Sequence, residues 1–407
     1  MAHFNHSSLP ASRAALVADD TGKLWYWDGA KWAPVPMAAN PAKSYLSGVD
    51  AANMATWNTA KAANAGDVLV IGTSNPYGWG ATNPNTDAWP FVLADIMGAT
   101  RGTEPLNKFS LELNWKRNYI TASGTGGSYT RNGDAGVADM GTVDLSGGDG
   151  QITYTSADCT GFQAVVRTWG SGFEVDIDGA HHKHVAPPAG PSMVELASGL
   201  AKGPHTLRVY NTNGATDLDV RFSAIGGKGA LTLHNHGIPG TQSTNWRKDT
   251  GTWKAYMQDG TVSKPGGTAS NTGQPWASLR NSVGPVDPDL LIIQVGGGNE
   301  ETAQISPDDY GENLDYIVKW ARGQHTGQTP RNPTIIGVIP VGNDPTDIQV
   351  RDEARLVYEA NDVPIFELEE LLPTGTPNAW DHTGHFTTAS QALIAKEMAR
   401  GLGYTVP

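Results

Sequence analysis

Asp67-Val68-Leu69-Val70-Ile71-Gly72-Thr73-Ser74-Asn75 is the stretch on which the fold turns. Val68 to Ile71 is a short apolar run closed by glycine, the pattern of a strand entering a turn. Ser74 then stands where a helix can begin, and at such a start free backbone N–H groups face a developing negative charge. A serine that only caps a helix would occupy the same position. Upstream, residues 49–63 (VDAANMATWNTAKAA) are rich in alanine and read as a helix. Downstream, a loop rich in Gly and Asn leads to a helix from Trp89 to Met97. Beyond residue 228, Leu231 to His234, Leu290 to Val295, Ile335 to Ile339 and Ile365 to Leu368 read as strands. Between them, Leu314, Ile317, Val318 and Ala321 form one apolar face at helical spacing, and Asp352 to Ala360 and Ala389 to Arg400 read as further helices. Five strands alternating with helices predict an α/β fold, a flavodoxin-like parallel five-stranded sheet in three layers.

Residues 108–227 follow a different rule. FSLELNW, QITYTS, FQAVVRTW, GFEVDID, HTLRVYN and DLDVRFSAI alternate apolar and polar residues between turns of Gly, Asp and Asn. That is the pattern of an antiparallel β-sandwich. The sandwich is expected as an insertion in an α/β unit formed by 43–107 and 228–407, since a surface connection tolerates an inserted domain. The stretch FEVDIDG to HTLRVYN resembles the jelly-roll modules that accompany carbohydrate-active enzymes. Residues 1–42 form a third, small unit. There Leu24 to Trp27, the Asp28-Gly29 turn and a short strand around Trp32 read as a β-hairpin arm. An isolated hairpin buries too little to be stable, so it is expected to pack on a neighbour or on a partner chain, as in a homo-oligomer. Its aromatic character resembles short terminal elements of phage tail proteins.

Composition narrows the function. A net charge of −13, from 28 basic against 41 acidic residues, and the lack of a basic cluster argue against nucleic acid. A lone cysteine, Cys159, excludes an intrachain disulfide framework and a cysteine-based zinc site, and reads as a small buried apolar residue. The opening MAHFNHSSLPASRAALVADD is polar and broken, so no cleaved signal is expected, and no apolar run reaches membrane-spanning length. A soluble protein is expected, and action outside the cell would require another exit route.

Chemistry-bearing residues collect where ligands bind in open parallel sheets, beyond the carboxyl ends of the strands. Gly72-Thr73-Ser74-Asn75 follows the first strand, and Asn235-His236-Gly237-Ile238-Pro239-Gly240-Thr241 follows the second. Gly240 can bring a backbone N–H close to a substrate. Gly296-Gly297-Gly298-Asn299-Glu300 follows the third, where Asn299 offers an amide donor for an oxyanion. No Gly-Lys-Ser/Thr follows, so it is not a phosphate loop. Trp380-Asp381-His382-Thr383-Gly384-His385 precedes the last helix and supplies a base beside a carboxylate, which a serine hydroxyl needs before it can attack.

These four blocks, in this order, resemble the SGNH/GDSL hydrolase superfamily of serine esterases. GTSN stands for the family's Gly-Asp-Ser block with Thr73 in place of the acid. NHGIPG matches its Asn-x-Gly-x-x-Gly block, and GGNE its Gly-x-Asn-Asp block with Glu300 for the acid. The resemblance covers about 43–107 and 228–405. It implies Ser74 as nucleophile and His385 as general base. The Ser74 N–H, the Gly240 N–H and the Asn299 side chain would form the oxyanion hole. The family places the acid three residues before the histidine, where this chain has His382, and Asp381 lies four before His385. Two arrangements fit: one extra loop residue with Asp381 orienting His385, or a Ser–His dyad oriented by a backbone carbonyl. His382 as the base, with Asp381 adjacent, is a further reading.

Other residues have two readings each. His181-His182-Lys183-His184 suits either a metal site or a solvated loop, and the loop is preferred because no partner carboxylate stands at a recognisable spacing. Asp176 and Asp178 suit calcium at a sandwich edge or a turn-flanking strand. Trp79, Trp246 and His236, with His382, line a substrate pocket in one reading; in the other they are packing or surface residues. No metal or other cofactor is implied. The expected function is hydrolysis of short acyl esters on a polysaccharide or glycolipid. The alternative is a virion tail or cell-surface adhesion protein that binds polysaccharide through an inactive site. A lipase would need a broad apolar channel, and the loops after Ser74 and Gly240 are rich in Asn, Thr, Gly and Trp instead.

Overall fold

Val68 to Ile71 has no polar face, so a strand made from it must be covered on both sides. The computed structural model describes residues 16–18, 24–27, 32–34, 44–106, 117–123, 143–144, 150–168, 172–186, 192–210, 220–247, 279, 282–296, 300, 305–341, 345–373, 376, 378–381 and 384–406. In it the strand spans Gly66–Gly72, and Val68, Leu69, Val70 and Ile71 are each 0% exposed. Val68 and Val70 enter one apolar core, with Trp57, Trp89, Phe366, Ile394 and Met398. Leu69 and Ile71 enter another, with Trp246, Leu314, Ile317, Val318 and Tyr358. Two cores on opposite faces of one sheet make three layers.

The sheet has seven strands, in the order Leu46–Ser47, Ile365–Phe366, Thr334–Val338, Leu290–Gln294, Gly66–Gly72, Leu231–Gly237 and Thr100–Arg101. The five expected strands form its parallel middle. The expected count of five is corrected by two edge strands of two residues each, one antiparallel (Leu46–Ser47) and one parallel. From Gly66–Gly72 the chain lays Thr100–Arg101 and then Leu231–Gly237 on one side, and returns to lay Leu290–Gln294 on the other. Such a reversal opens a crevice at the strand's carboxyl end, and this is where Ser74 sits.

The helices form where the apolar spacing predicts. Pro307–Ala321 starts on Ser306, whose hydroxyl accepts from the Asp309 N–H at 3.1 Å, and has Pro307 in its first turn. Its Leu314, Ile317, Val318 and Ala321 are all buried. Thr387 caps Thr388–Gly401 in the same way, accepting from Ser390.

The sandwich is two antiparallel sheets. One runs Ala180–Val185, Phe173–Ile177, Gly203–Tyr210, Gln151–Cys159, Ile120–Ser123. The other runs Ser192–Ala197, Gly161–Thr168, Val220–Lys228, Thr103–Pro105. Sandwich pairing thus begins at Thr103, before the expected residue 108. Phe162, Phe173 and Phe222 anchor a third core, with Phe173 and Phe222 edge to face at 4.9 Å. Cys159 lies in it, and burial pushes its thiol pKa up. The 181–184 histidines are corrected from loop to strand. They lie on the exposed edge strand Ala180–Val185, with His184 Nδ1 at 2.8 Å from Glu174 on the next strand. Asp176 is buried, bound by Arg208 and Tyr210, while Asp178 accepts from the Thr206 N–H at a turn. Among the described residues no group of three or more acidic, His or Cys side chains is arranged to hold a metal, and no helix is long and apolar enough to cross a membrane. At the amino terminus, Leu16–Ala18 adds to the hairpin strands Leu24–Trp27 and Trp32–Pro34, making a three-stranded antiparallel sheet; the Asp28-Gly29 turn lies outside the described residues.

Gly72 ends the central strand beside Gln294, and a Cβ there would lie 2.3 Å from the Gln294 carbonyl oxygen. Backbone cannot yield as a side-chain tip does. Gly72→Ala is therefore expected to cost about 1–3 kcal/mol, as overpacking does. A lowered denaturant midpoint with an unchanged m-value is the measurement that checks it.

Candidate active site

Ser74 opens a single-turn helix, Ser74–Tyr77, directly after the central strand. It is 7% exposed, and its Oγ lies 2.9 Å from Nε2 of His385. His385 arrives on a tight turn that closes on itself. The Asp381 N–H donates to the His385 carbonyl at 2.8 Å, and the His385 N–H donates to Asp381 Oδ1 at 2.9 Å. Trp380 and Phe386 pair as a bridge at the turn's base. The Gly384 N–H also donates to the Asp381 carbonyl at 3.2 Å, and Gly384 stands in the left-handed region at φ +79°.

Two asparagine side chains and one glutamine tie this turn and the loops to the serine helix. Asn75 Oδ1 accepts the Phe386 N–H at 3.2 Å, and the Asn75 carbonyl accepts from Gln391 Nε2 at 3.1 Å. Gln391 Oε1 in turn accepts the Trp89 N–H at 2.9 Å. Asn235 Nδ2 donates to the Pro76 carbonyl at 2.8 Å while its Oδ1 accepts the Gly237 N–H. The Gly72 carbonyl accepts from the Ile238 N–H at 3.0 Å and from Thr241 Oγ at 3.2 Å. That anchoring fixes the turn containing Gly240, which sits at φ +77°. Gly80, at φ +89°, packs so closely on His385 that a Cβ would lie 2.8 Å from the histidine's own. Trp79 beside it is half-buried, its ring 5.8 Å from the imidazole.

The structure therefore brings Ser74, His385 and Asp381 together, with the Gly240 turn moored two residues before Ser74 and Trp79 beside the histidine. Asn299 and His382 lie outside the described residues. Two expected pocket residues have other places. Trp246 is 0% exposed in the sheet's second core, its Nε1 donating to Thr241 Oγ at 3.3 Å, so packing rather than substrate holds its ring. His236 is 1% exposed and bonded to Thr103 Oγ at 3.0 Å; burial, then the neighbouring His234, pulls its pKa down to about 3. Beside it, the Thr103 N–H donates to His234 Nδ1, so the ring hydrogen sits on Nε2, which donates to Asp67. The two histidines join the sheet to the sandwich.

Sequence reasoning missed Asn75, Gln391, Glu104 and Arg117. Arg117 is 1% exposed; its Nε donates to Glu104 at 2.7 Å, and its guanidinium donates to the Tyr77 carbonyl at 2.9 Å and to the Pro84 carbonyl. Tyr77 is the last residue of the serine helix, so this arginine from the chain entering the sandwich holds that helix at its end. The signal available in the sequence was only a Lys116-Arg117 pair between Trp115 and Tyr119.

No family model matches the chain, and a search of curated proteins finds no match. Among solved structures, one described as a peptidoglycan O-acetylesterase matches at TM-score 0.57 and 14% identity, covering 88% of this chain and 97% of that one. A family two carbohydrate esterase from Clostridium thermocellum matches at TM-score 0.27 and 13% identity (63% and 92% covered). An acetyl xylan esterase from Butyrivibrio proteoclasticus matches at 0.26 and 11% (63% and 91%). Of these three only the first bears on the chain, and at 14% identity it shows a shared fold.

Glu300, which ends the third block, is buried and bonded to Ser243. Its carboxylate accepts the Ser243 N–H at 2.7 Å and the Ser243 hydroxyl at 3.1 Å, and burial pushes its pKa up to about 7. Between the ordinary carboxylate value and about 7, the folded chain keeps a proton that the unfolded chain has released. Stability from this group is present at low pH and is lost as pH rises through about 7, on the order of 3 kcal/mol in all. Glu300→Gln is expected to remove that slope. Denaturant midpoints of both proteins at about pH 5 and about pH 8 check it.

Proposed function

We propose that the chain is a serine esterase that removes short acyl groups, acetyl above all, from a glycan. The contact of 2.9 Å between Ser74 Oγ and His385 Nε2 carries this reading, because it is the distance a general base needs to take the hydroxyl proton. In this reading Ser74 Oγ attacks the ester carbonyl while its proton passes to Nε2. The tetrahedral oxyanion is held by the Ser74 N–H, the Gly240 N–H and the Asn299 amide. His385 then gives the proton to the leaving sugar hydroxyl, and the acyl group stays on Ser74. Water, deprotonated by the same imidazole, releases the acid and restores the serine. Asp381 is assigned as the orienting acid. Its Oδ1 already fixes the His385 backbone, and its second oxygen is assigned to the Nδ1 hydrogen.

The choice of an acetylated glycan is supported by the fold shared with a protein described as a peptidoglycan O-acetylesterase. The polar loops beside Ser74 favour a small acyl group on a polar carrier over a lipid. A polysaccharide substrate puts the action outside the cell, and the aromatic strands between Leu16 and Pro34 are read as an attachment arm, to a second copy or to a virion tail protein.

Ser74→Ala and His385→Ala are each expected to lower kcat on p-nitrophenyl acetate by on the order of 10⁴-fold or more, and Asp381→Asn by less. Wild-type turnover in pure Ser74→Ala protein would sink the esterase reading. Wild-type protein inert toward both this ester and acetylated glycans would leave the adhesion-protein alternative standing.

A further inference from the structure

Away from Ser74, a cleft of about 610 Å³ runs between the 83–86 loop, the end of the Trp89–Met97 helix and the sandwich strand Gln151–Cys159. Its size falls within the roughly 300–1,000 Å³ of small-molecule sites. The two walls are bonded to each other by the Asn118 N–H, which donates to Asn85 Oδ1 at 3.2 Å, while Arg101 of the central sheet's edge braces the loop by donating to the Asn85 carbonyl at 2.9 Å. The cleft is therefore built into the junction of the two folded units.

Its chemistry is selective. Among the described residues every charged side chain lining it is paired within it: Arg101 with Asp95 at 3.0 Å, Lys202 with Asp158 at 3.3 Å. Among those residues a phosphate or carboxylate would find no uncommitted cation, and an acyl chain would strand the remaining polar groups. Those groups are uncharged amides and hydroxyls, including Asn83, Asn118 and Thr155, all exposed. Tyr119 adds a half-buried ring whose hydroxyl is fixed on buried Glu104 and whose edge contact with Tyr154 is 5.7 Å. A fixed aromatic surface among neutral donors and acceptors suits a sugar ring, which has an apolar face and a rim of hydroxyls.

The cleft is also connected to the catalytic residues. Between Ser74 and Asn83 the chain packs Gly80 on His385 and bonds the Thr82 N–H to Thr388 Oγ at 2.7 Å. We propose that this junction cleft binds a neutral oligosaccharide segment of the substrate, stacked on Tyr119 and hydrogen-bonded by Asn83 and Asn118. As the holder of the chain whose ester reaches Ser74, it rests on the glycan-esterase reading. Binding energy gathered there orients the ester at a distance from the reacting atoms.

The test is titration of the full-length protein, by calorimetry and ligand-observed NMR, with non-acylated β-1,4 tetrasaccharides of N-acetylglucosamine, of glucose and of xylose. At least one is expected to bind saturably, with Kd of about 1 mM or tighter. Thr155→Trp, which fills the cleft, and Asn118→Ala, which removes an amide, are each expected to weaken it about tenfold or more, or roughly 1.4 kcal/mol. The arm that binds identifies the sugar. No saturable binding of any of the three up to about 10 mM overturns the proposal. So does unchanged affinity in both variants at wild-type Tm. Because these sugars carry no ester, absence of binding by the wild-type protein with its p-nitrophenyl acetate hydrolysis intact rejects the cleft alone. Binding intact in a protein without hydrolysis rejects the esterase alone.

Discussion

Ser74 Oγ and His385 Nε2 meet at 2.9 Å across 311 residues of sequence, and much of the fold can be understood as the means of holding that contact. The serine is fixed by a strand buried on both faces and stopped by Gly72, where no side chain fits beside Gln294. The histidine is fixed by a turn whose backbone closes on Asp381, and by Asn75, the residue after the serine, which accepts from the residue after the histidine. Both partners are thus held by neighbours of each other. A pair supported this way loses little side-chain entropy on forming its bond.

The sandwich is more than an attached module. Thr103, in its first strand, engages His234 and His236 of the central sheet. Arg117 carries a buried charge to the end of the serine helix and is balanced there by Glu104. Breaking such a buried pair leaves an uncompensated charge, a cost of about 3–5 kcal/mol, while keeping it intact contributes far less net stability. Its geometric value is greater, because it sets where Tyr77 ends the helix and where the 83–86 loop begins. Asn118 and Tyr119, the two residues after Arg117, line the junction cleft, so the α/β and sandwich units share one wall.

The parts legible in the sequence were those with their own periodicity. Trp89–Met97 was readable to the residue, and Leu314, Ile317, Val318 and Ala321 all turned inward, because helical spacing and burial coincide there. The order of the four loop blocks was legible because three follow a strand end and the fourth precedes the last helix. Edge strands of two residues, Leu46–Ser47 and Thr100–Arg101, carry no repeat to read. The 181–184 histidines lacked an apolar alternation, and only pairing with Phe173–Ile177 makes them a strand. Arg117 was illegible because its partners lie 13 and 40 residues away, and Trp246 because a tryptophan's pattern is the same whether it faces a core or a sugar.

Reaction of the full-length protein with a fluorophosphonate, followed by intact-mass and peptide-mapping spectrometry, tests the Ser74–His385 pairing most directly. Phosphonylation requires a serine whose proton is taken by a base and whose developing oxyanion is stabilised. One adduct per chain, on Ser74, lost or strongly slowed in folded His385→Ala, is the expected result. A wild-type protein without an adduct, or one labelled at Ser74 just as fast without His385, would contradict it.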